Sequence, residues 1–218
     1  MFRRDSEHDI DSEQVRKTKA FSLPLSRNRH GNYKHLPGTL FFTAFTTDFF
    51  LEEIDQWRDE AWEIMRTRSD CHFYMVTKRP QRITQCLPPD WGDGWENVTI
   101  ACTMESQQQM ELRMPFYRKA TIAHKEIICE PMLGPINFGD LIKGNWLDHT
   151  IVGGESGPNA RTLKHDWVLS VRSQCIFHRV PFHFKQTGAH YLKDGRVYHI
   201  DRRFQLSQAR QANLDIEI

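Results

Sequence analysis

Seven ionisable residues stand at or just after apolar, β-prone runs: Asp48, Lys78, Arg79, Glu105, Glu130, Glu155 and Lys185. In barrels and open parallel sheets, ligands sit beyond the carboxyl ends of the strands, so such residues converge on one mouth. Lysine and arginine there match carboxylate or phosphate, and the whole set suits a polar, partly anionic ligand. A duller explanation covers each residue singly. A parallel strand must exit into a polar loop, and acids favour helix N-termini. The recurrence at every strand end, more than any one residue, points to a shared site.

The most pointed local signal is Gly153-Gly154-Glu155-Ser156-Gly157. Two glycines after an apolar strand let backbone N–H groups approach a ligand, and Glu155 could take a ribose hydroxyl or an amine. The run is not G-x-G-x-x-G, and a tight strand-to-helix turn uses the same residues. Glu130-Pro131 sets a carboxylate before a φ-locked residue, which fixes its direction or simply ends a strand. Lys185-Gln186-Thr187-Gly188 belongs to the same mouth or serves as loop and cap. The histidines, among them His30, His35, His72, His124, His149, His165 and His183, lack ligand spacing. No G-x-S-x-G or Ser-His-Asp arrangement occurs. The six tryptophans read as core and rim packing rather than base-stacking platforms.

The elements that must position these groups follow a rhythm. Apolar runs begin near Leu40, His72, Val98, Glu126, Thr150 and Phe182, with helical patterns over roughly 51–68, 107–118 and 165–179 between them. Asp166 is the expected N-cap of the last helix. The recurrence predicts βαβ crossovers and a parallel sheet, either a partial or complete barrel or a doubly wound open sheet. The runs read as continuously apolar, as for strands covered on both faces. The stretch 131–148 predicts only a short or irregular helix. Asp194-Gly195 predicts a two-residue hairpin turn. Residues 1–38 read as a polar surface segment, 39–200 as the α/β domain and 201–218 as a polar, frayed tail.

At 218 residues, 39% hydrophobic and 26% charged, the chain suits one ordinary domain. A net charge of +1 argues against a purely electrostatic nucleic-acid binder. Five cysteines without a CxxC pair argue for reduced thiols and a cytoplasmic setting. No signal peptide and no membrane span is predicted.

Five ordered blocks carry a family resemblance: Thr77-Lys78-Arg79-Pro80, Cys129-Glu130-Pro131-Met132-Leu133-Gly134-Pro135-Ile136, Val152 through Arg161, Asp166-Trp167-Val168 and Pro181 through Gly188. Over about residues 39–190 the chain resembles a phage-associated family similar to radical S-adenosylmethionine enzymes of the partial-barrel type. The resemblance implies a parallel (βα) partial TIM-like barrel and S-adenosylmethionine as cofactor. The strand-end groups, with Gly153 and Gly154, would then bind it. It also implies an iron–sulfur cluster held by three cysteines after the first strand, and this sequence lacks that motif and that strand. The expectation is either that Met1 is an internal methionine of a longer chain or that the cluster has been lost; the intact strand-end residues favour the first. The chain as written is expected to be inactive in radical chemistry. The alternative is a non-catalytic protein using the same mouth for a nucleotide or nucleic acid, with a basic face around Lys78, Arg79, Arg82 and Lys185. A third is a remnant without independent activity.

Overall fold

The computed structural model describes residues 15–44 and 46–218. The elements run β1 (Leu40–Thr43), α1 (Asp55–Thr67), β2 (His72–Thr77), α2 (Ile83–Cys86), β3 (Val98–Thr103), α3 (Gln107–Lys119), β4 (His124–Cys129) and β5 (His149–Gly153). They continue with β6 (Leu163–Lys164), α4 (His165–His178), β7 (Phe182–Gln186), β8 (His190–Lys193), β9 (Arg196–His199) and α5 (Gln205–Gln211). Six strands form one sheet in the order β1-β2-β3-β4-β5-β7, and every neighbouring pair is parallel. Spatial order follows chain order without reversal. The doubly wound alternative therefore fails, because it needs a switch point where the order reverses. The sheet curls into a half-barrel instead.

The helices cover one face of that curl. Trp62 and Met65 of α1, Met110 and Met114 of α3, and Val168 and Val171 of α4 share one core with Phe73, Met75, Ile100, Ile127, Val152 and Phe184. The inner face is more open. Burial alternates along β2 and β4, with Tyr74, Val76, Glu126 and Ile128 only half-buried between fully buried neighbours. The expectation of strands covered on both faces is thus corrected. It holds for β3, where four of the last residues in a row are buried, but β2 and β4 leave one face for other use. The tryptophans Trp62, Trp91 and Trp95 pack on each other with ring centroids 5.2–5.7 Å apart, the first two in the core and Trp95 partly buried against it.

Asp194 and Gly195 both adopt positive φ, 51° and 74°, and join antiparallel β8 and β9 in the predicted hairpin. Asp166 is not the N-cap of α4. The cap is Lys164, held in β6 by pairing with Leu192, so strand passes into helix with no position left for a capping turn. The carboxyl tail is not frayed: α5 buries Gln205 and Ala209, and Ile216 bridges Phe182 along the outer edge of β7. Between β4 and β5 there is only a 3-10 turn over Gly139–Ile142, matching the irregular stretch predicted there. No helix among the described residues is long and apolar enough to cross a membrane.

A candidate ligand site at the strand ends

Parallel strands in sequential order deliver their carboxyl ends to one rim. A cavity of about 500 Å³ opens there, lined among others by Asp48, Lys78, Arg79, Glu130 and Lys185, with Val76, Thr103 and Ile128 as its floor. Five of the predicted residues therefore share one mouth.

Asp48 is buried and fully engaged. Its Oδ1 accepts from the Phe50 backbone N–H at 2.9 Å and the Thr77 hydroxyl at 2.8 Å. Its Oδ2 accepts from the Lys78 backbone N–H at 2.8 Å and Arg79 Nη1 at 3.0 Å. The carboxylate therefore fastens the loop after β1 to the end of β2 and aims Arg79, rather than standing free for a ligand.

Lys78 Nζ lies 3.3 Å from Glu105 Oε1 and is about half exposed. Glu105 also accepts from Arg113 Nη1 at 2.5 Å, and the same nitrogen reaches the Thr103 carbonyl. Burial pushes the Glu105 carboxyl up, but the Arg113 hydrogen bond, its own backbone N–H and the nearby cations bring it net below its ordinary value. Arg113 was not legible in the sequence: it reaches back from the second turn of α3, a spacing no strand-end pattern contains.

On the far wall Glu130 Oε2 accepts from Lys185 Nζ at 2.7 Å, and its Oε1 accepts from Gln186 Nε2 at 2.5 Å. Gln186 also donates to the Gly154 carbonyl. The glycines make this wall possible. A Cβ on Gly153 would stand 2.9 Å from Glu130 Cδ, and one on Gly154 would stand 2.3 Å from the Thr187 carbonyl oxygen. The space they open is filled by protein, and the Gly154 N–H donates to Gln186 O. Glu155 points elsewhere. Arg161 grips it through Nε at 2.7 Å and Nη2 at 2.9 Å, with the Arg161 backbone N–H adding a third bond. Those bonds lower its pKa to about 2. It is not among the residues lining the cavity. The register shift between Val152 and Gly153 turns the loop away at that point.

Below the floor lies a polar row that the strand-end pattern could not announce. The Tyr74 hydroxyl donates to Glu126 Oε2 at 2.5 Å, and burial first, then that carboxylate, pushes the phenol up. Glu126 is paired in register with His149. Burial lowers the His149 pKa, with the Glu126 charge opposing. His183 Nδ1 lies 2.8 Å from Asp215 Oδ2, a partner supplied by the carboxyl tail. The signal was present as polar residues at alternate positions of β2, β4 and β7 and as His149 at the start of β5, hidden by reading those runs as continuously apolar.

The arrangement offers cations and carboxylates in adjacent pairs around a mouth of nucleoside size. It suits a ligand carrying both charges. The cysteines offer no comparable set: Cys86, Cys102, Cys129 and Cys175 are buried on four different elements, and Cys71 is buried in the turn before β2. Among the described residues no group of three His, Cys, Asp or Glu is placed to hold a metal ion.

Fold and site together define a half-barrel α/β protein with a charge-paired pocket at the carboxyl ends of its strands. The chain belongs to the family described as Protein of unknown function (DUF5131), whose model matches residues 3–214. No curated protein and no solved structure matches it.

Proposed function

We propose that the strand-end cavity binds a small zwitterionic ligand with a nucleoside part. S-adenosylmethionine is the candidate the sequence resemblance implies, and the chain is read as the binding portion of a radical S-adenosylmethionine-type enzyme domain. The observation that supports this best is the Glu130–Lys185 pair at 2.7 Å, standing in the cavity wall opposite Lys78 and Arg79. A bound amino acid moiety would exchange these internal pairs for its own, its carboxylate meeting Lys185 or Arg79 and its ammonium meeting Glu130. Val76, Ile128 and Leu51 supply apolar surface for an adenosyl ring. When bound, such a cofactor supplies an activated sulfonium carbon. The residues of this chain would bind it, orient it and hold its charges.

The described residues do not fit an iron–sulfur cluster, so no radical step is assigned to them. The same pocket serves the second reading, a non-catalytic nucleotide-binding protein, which the burial of all five cysteines away from the cavity lining favours. In the finer form of the fold proposal, the half-barrel is part of a TIM-like barrel in which a further parallel strand precedes β1. The half-exposed Leu40 and Phe42 on β1 support it.

Titration calorimetry with S-adenosylmethionine, S-adenosylhomocysteine and ATP tests the reading. The adenosyl amino acids should bind in the micromolar range, and Lys185→Ala or Glu130→Gln should weaken them about tenfold. Absence of binding at millimolar ligand, or variants that bind as well as the parent, would overturn it. Tight binding of ATP alone would move the conclusion to the nucleotide-binding protein.

A further inference from the structure

The cations around the mouth are neutralised from within. Lys78 faces Glu105, Arg79 faces Asp48, Lys185 faces Glu130, and Arg82 reaches both Glu52 and Asp55 at 2.8 Å. The basic face expected there is therefore internally paired. A second group of cations is not. Among the described residues, no carboxylate lies within ion-pairing distance of Lys193, Arg196 or Arg202. Arg203 has only a loose contact to Asp201 at 3.8 Å, with both side chains more than 70% exposed.

These residues belong to the β8–β9 hairpin and the turn after it. Every residue from Lys193 to His199 is exposed. Val197 and Tyr198 project to opposite faces of β9, yet they are 44% and 40% exposed, so neither face of that strand serves the core. Arg196 lies over the Tyr198 ring at 5.0 Å, and Arg203 over the Phe204 ring at 4.6 Å. Two partly exposed aromatic rings with stacked guanidiniums thus lie within nine residues of each other. The segment holds Lys193, Arg196, Arg202 and Arg203 against Asp194 and Asp201, so its ligand carries negative charge.

We propose that this hairpin and the following turn bind single-stranded nucleic acid, with Lys193, Arg196, Arg202 and Arg203 tracking phosphates and Tyr198 and Phe204 stacking on bases. The proposal goes beyond the cavity reading and does not rest on it. Aromatic rings interleaved with arginines are a sequence-tolerant surface for unstacked bases, whereas a duplex hides its base faces. An acidic peptide would use the cations but leave the rings without a role. The Ala189 N–H donates to the Glu155 carbonyl and the Ile200 N–H to the Ala189 carbonyl, so the hairpin is rooted in the loops at the carboxyl end of the sheet. A strand held there lies at the same end of the half-barrel as the cavity.

Fluorescence anisotropy with a labelled, mixed-sequence single strand of about 12 nucleotides, DNA and RNA in turn, tests this at about 50 mM salt. Binding should fall with a log–log salt slope of about −2 to −3, as three or four contacts to phosphate predict. Arg196→Ala with Tyr198→Ala, and Arg202→Ala with Arg203→Ala, should each weaken binding about tenfold or more. All four side chains are exposed, so the melting temperature should stay within a degree or two. A duplex of the same length and poly-glutamate should compete poorly. No binding at low salt, variants that bind like the parent, or poly-glutamate competing as well as the oligonucleotide would each overturn the proposal. Unchanged calorimetric binding of S-adenosylmethionine by the hairpin variants keeps this test separate from that of the cavity.

Discussion

Asp48 is the residue that holds the cavity wall together, because its two oxygens accept from Phe50, Thr77, Lys78 and Arg79 at 2.8–3.0 Å. Asp48→Asn keeps the shape but presents an N–H₂ group to one pair of donors. Leaving one pair of these donors without an acceptor should cost about 1–3 kcal/mol, read from urea unfolding. A loss below about 0.5 kcal/mol would mean the carboxylate does not act as this latch. Glu155 makes a different prediction, because its pKa is lowered to about 2 by Arg161 from an ordinary 4.5. A depressed folded-state value stabilises the fold above pH 4.5, and that contribution disappears as the pH falls through about 2. Arg161→Ala should therefore unfold at a lower urea concentration than the parent at pH 6, by a small margin because the pair is exposed to solvent. The difference from the parent should close as pH 2 is approached; a pH-independent difference would contradict the assignment.

At the level of elements, the end of β5 shows how a glycine pair can serve a wall rather than a ligand. A Cβ on Gly154 meets the Thr187 carbonyl at 2.3 Å, backbone that cannot swing aside, whereas one on Gly153 meets the Glu130 side chain at 2.9 Å. Gly154→Ala should cost about 2–3 kcal/mol, and Gly153→Ala less than about 1 kcal/mol. The second variant should still lose ligand affinity, because Glu130 must leave Lys185. Thermal melts that rank the two the other way would contradict the packing. The six strands were legible because each is a short apolar run ending at a polar residue. The hairpin was legible because Asp194 and Gly195 tolerate positive φ. Helix α5 was not, since its sequence Gln205–Gln211 buries a glutamine and an alanine and carries no apolar stripe. Nor was the Tyr74–Glu126 row. Polar residues at alternate strand positions mean an open inner face only once the curl of the sheet is known.

For the molecule as a whole, Arg68 ties the amino-terminal segment to the barrel. Its guanidinium is fully buried and donates to the carbonyls of Pro24 and His35 and to Asp70, beneath the Tyr33 ring at 4.1 Å. Residues 15–38 therefore belong to the fold's base, although their composition reads as loop. Arg68→Met leaves those carbonyls unpaired and should cost about 3–5 kcal/mol. Hydrogen exchange should accelerate first in that segment while β2–β5 stay protected; uniform acceleration would contradict a local tie. Because the cysteines are buried and no three of the described His, Cys, Asp or Glu residues are placed to hold a metal ion, anaerobic reconstitution with iron and sulfide should leave the chain without the visible absorbance of a cluster. Stoichiometric four-iron uptake would show that the thiols can regroup.

The central claim is that the mouth of the half-barrel is the ligand site, and methyl-resolved NMR during titration with S-adenosylhomocysteine tests it most directly. The account predicts that Ala44, Leu51, Val76, Thr103 and Ile128, which line the cavity, shift together and saturate with one affinity. Val168 and Val171, buried residues of α4 on the opposite face of the sheet, should stay in place. Saturating ligand that leaves the first group unmoved, or shifts only methyls outside the cavity, would contradict it.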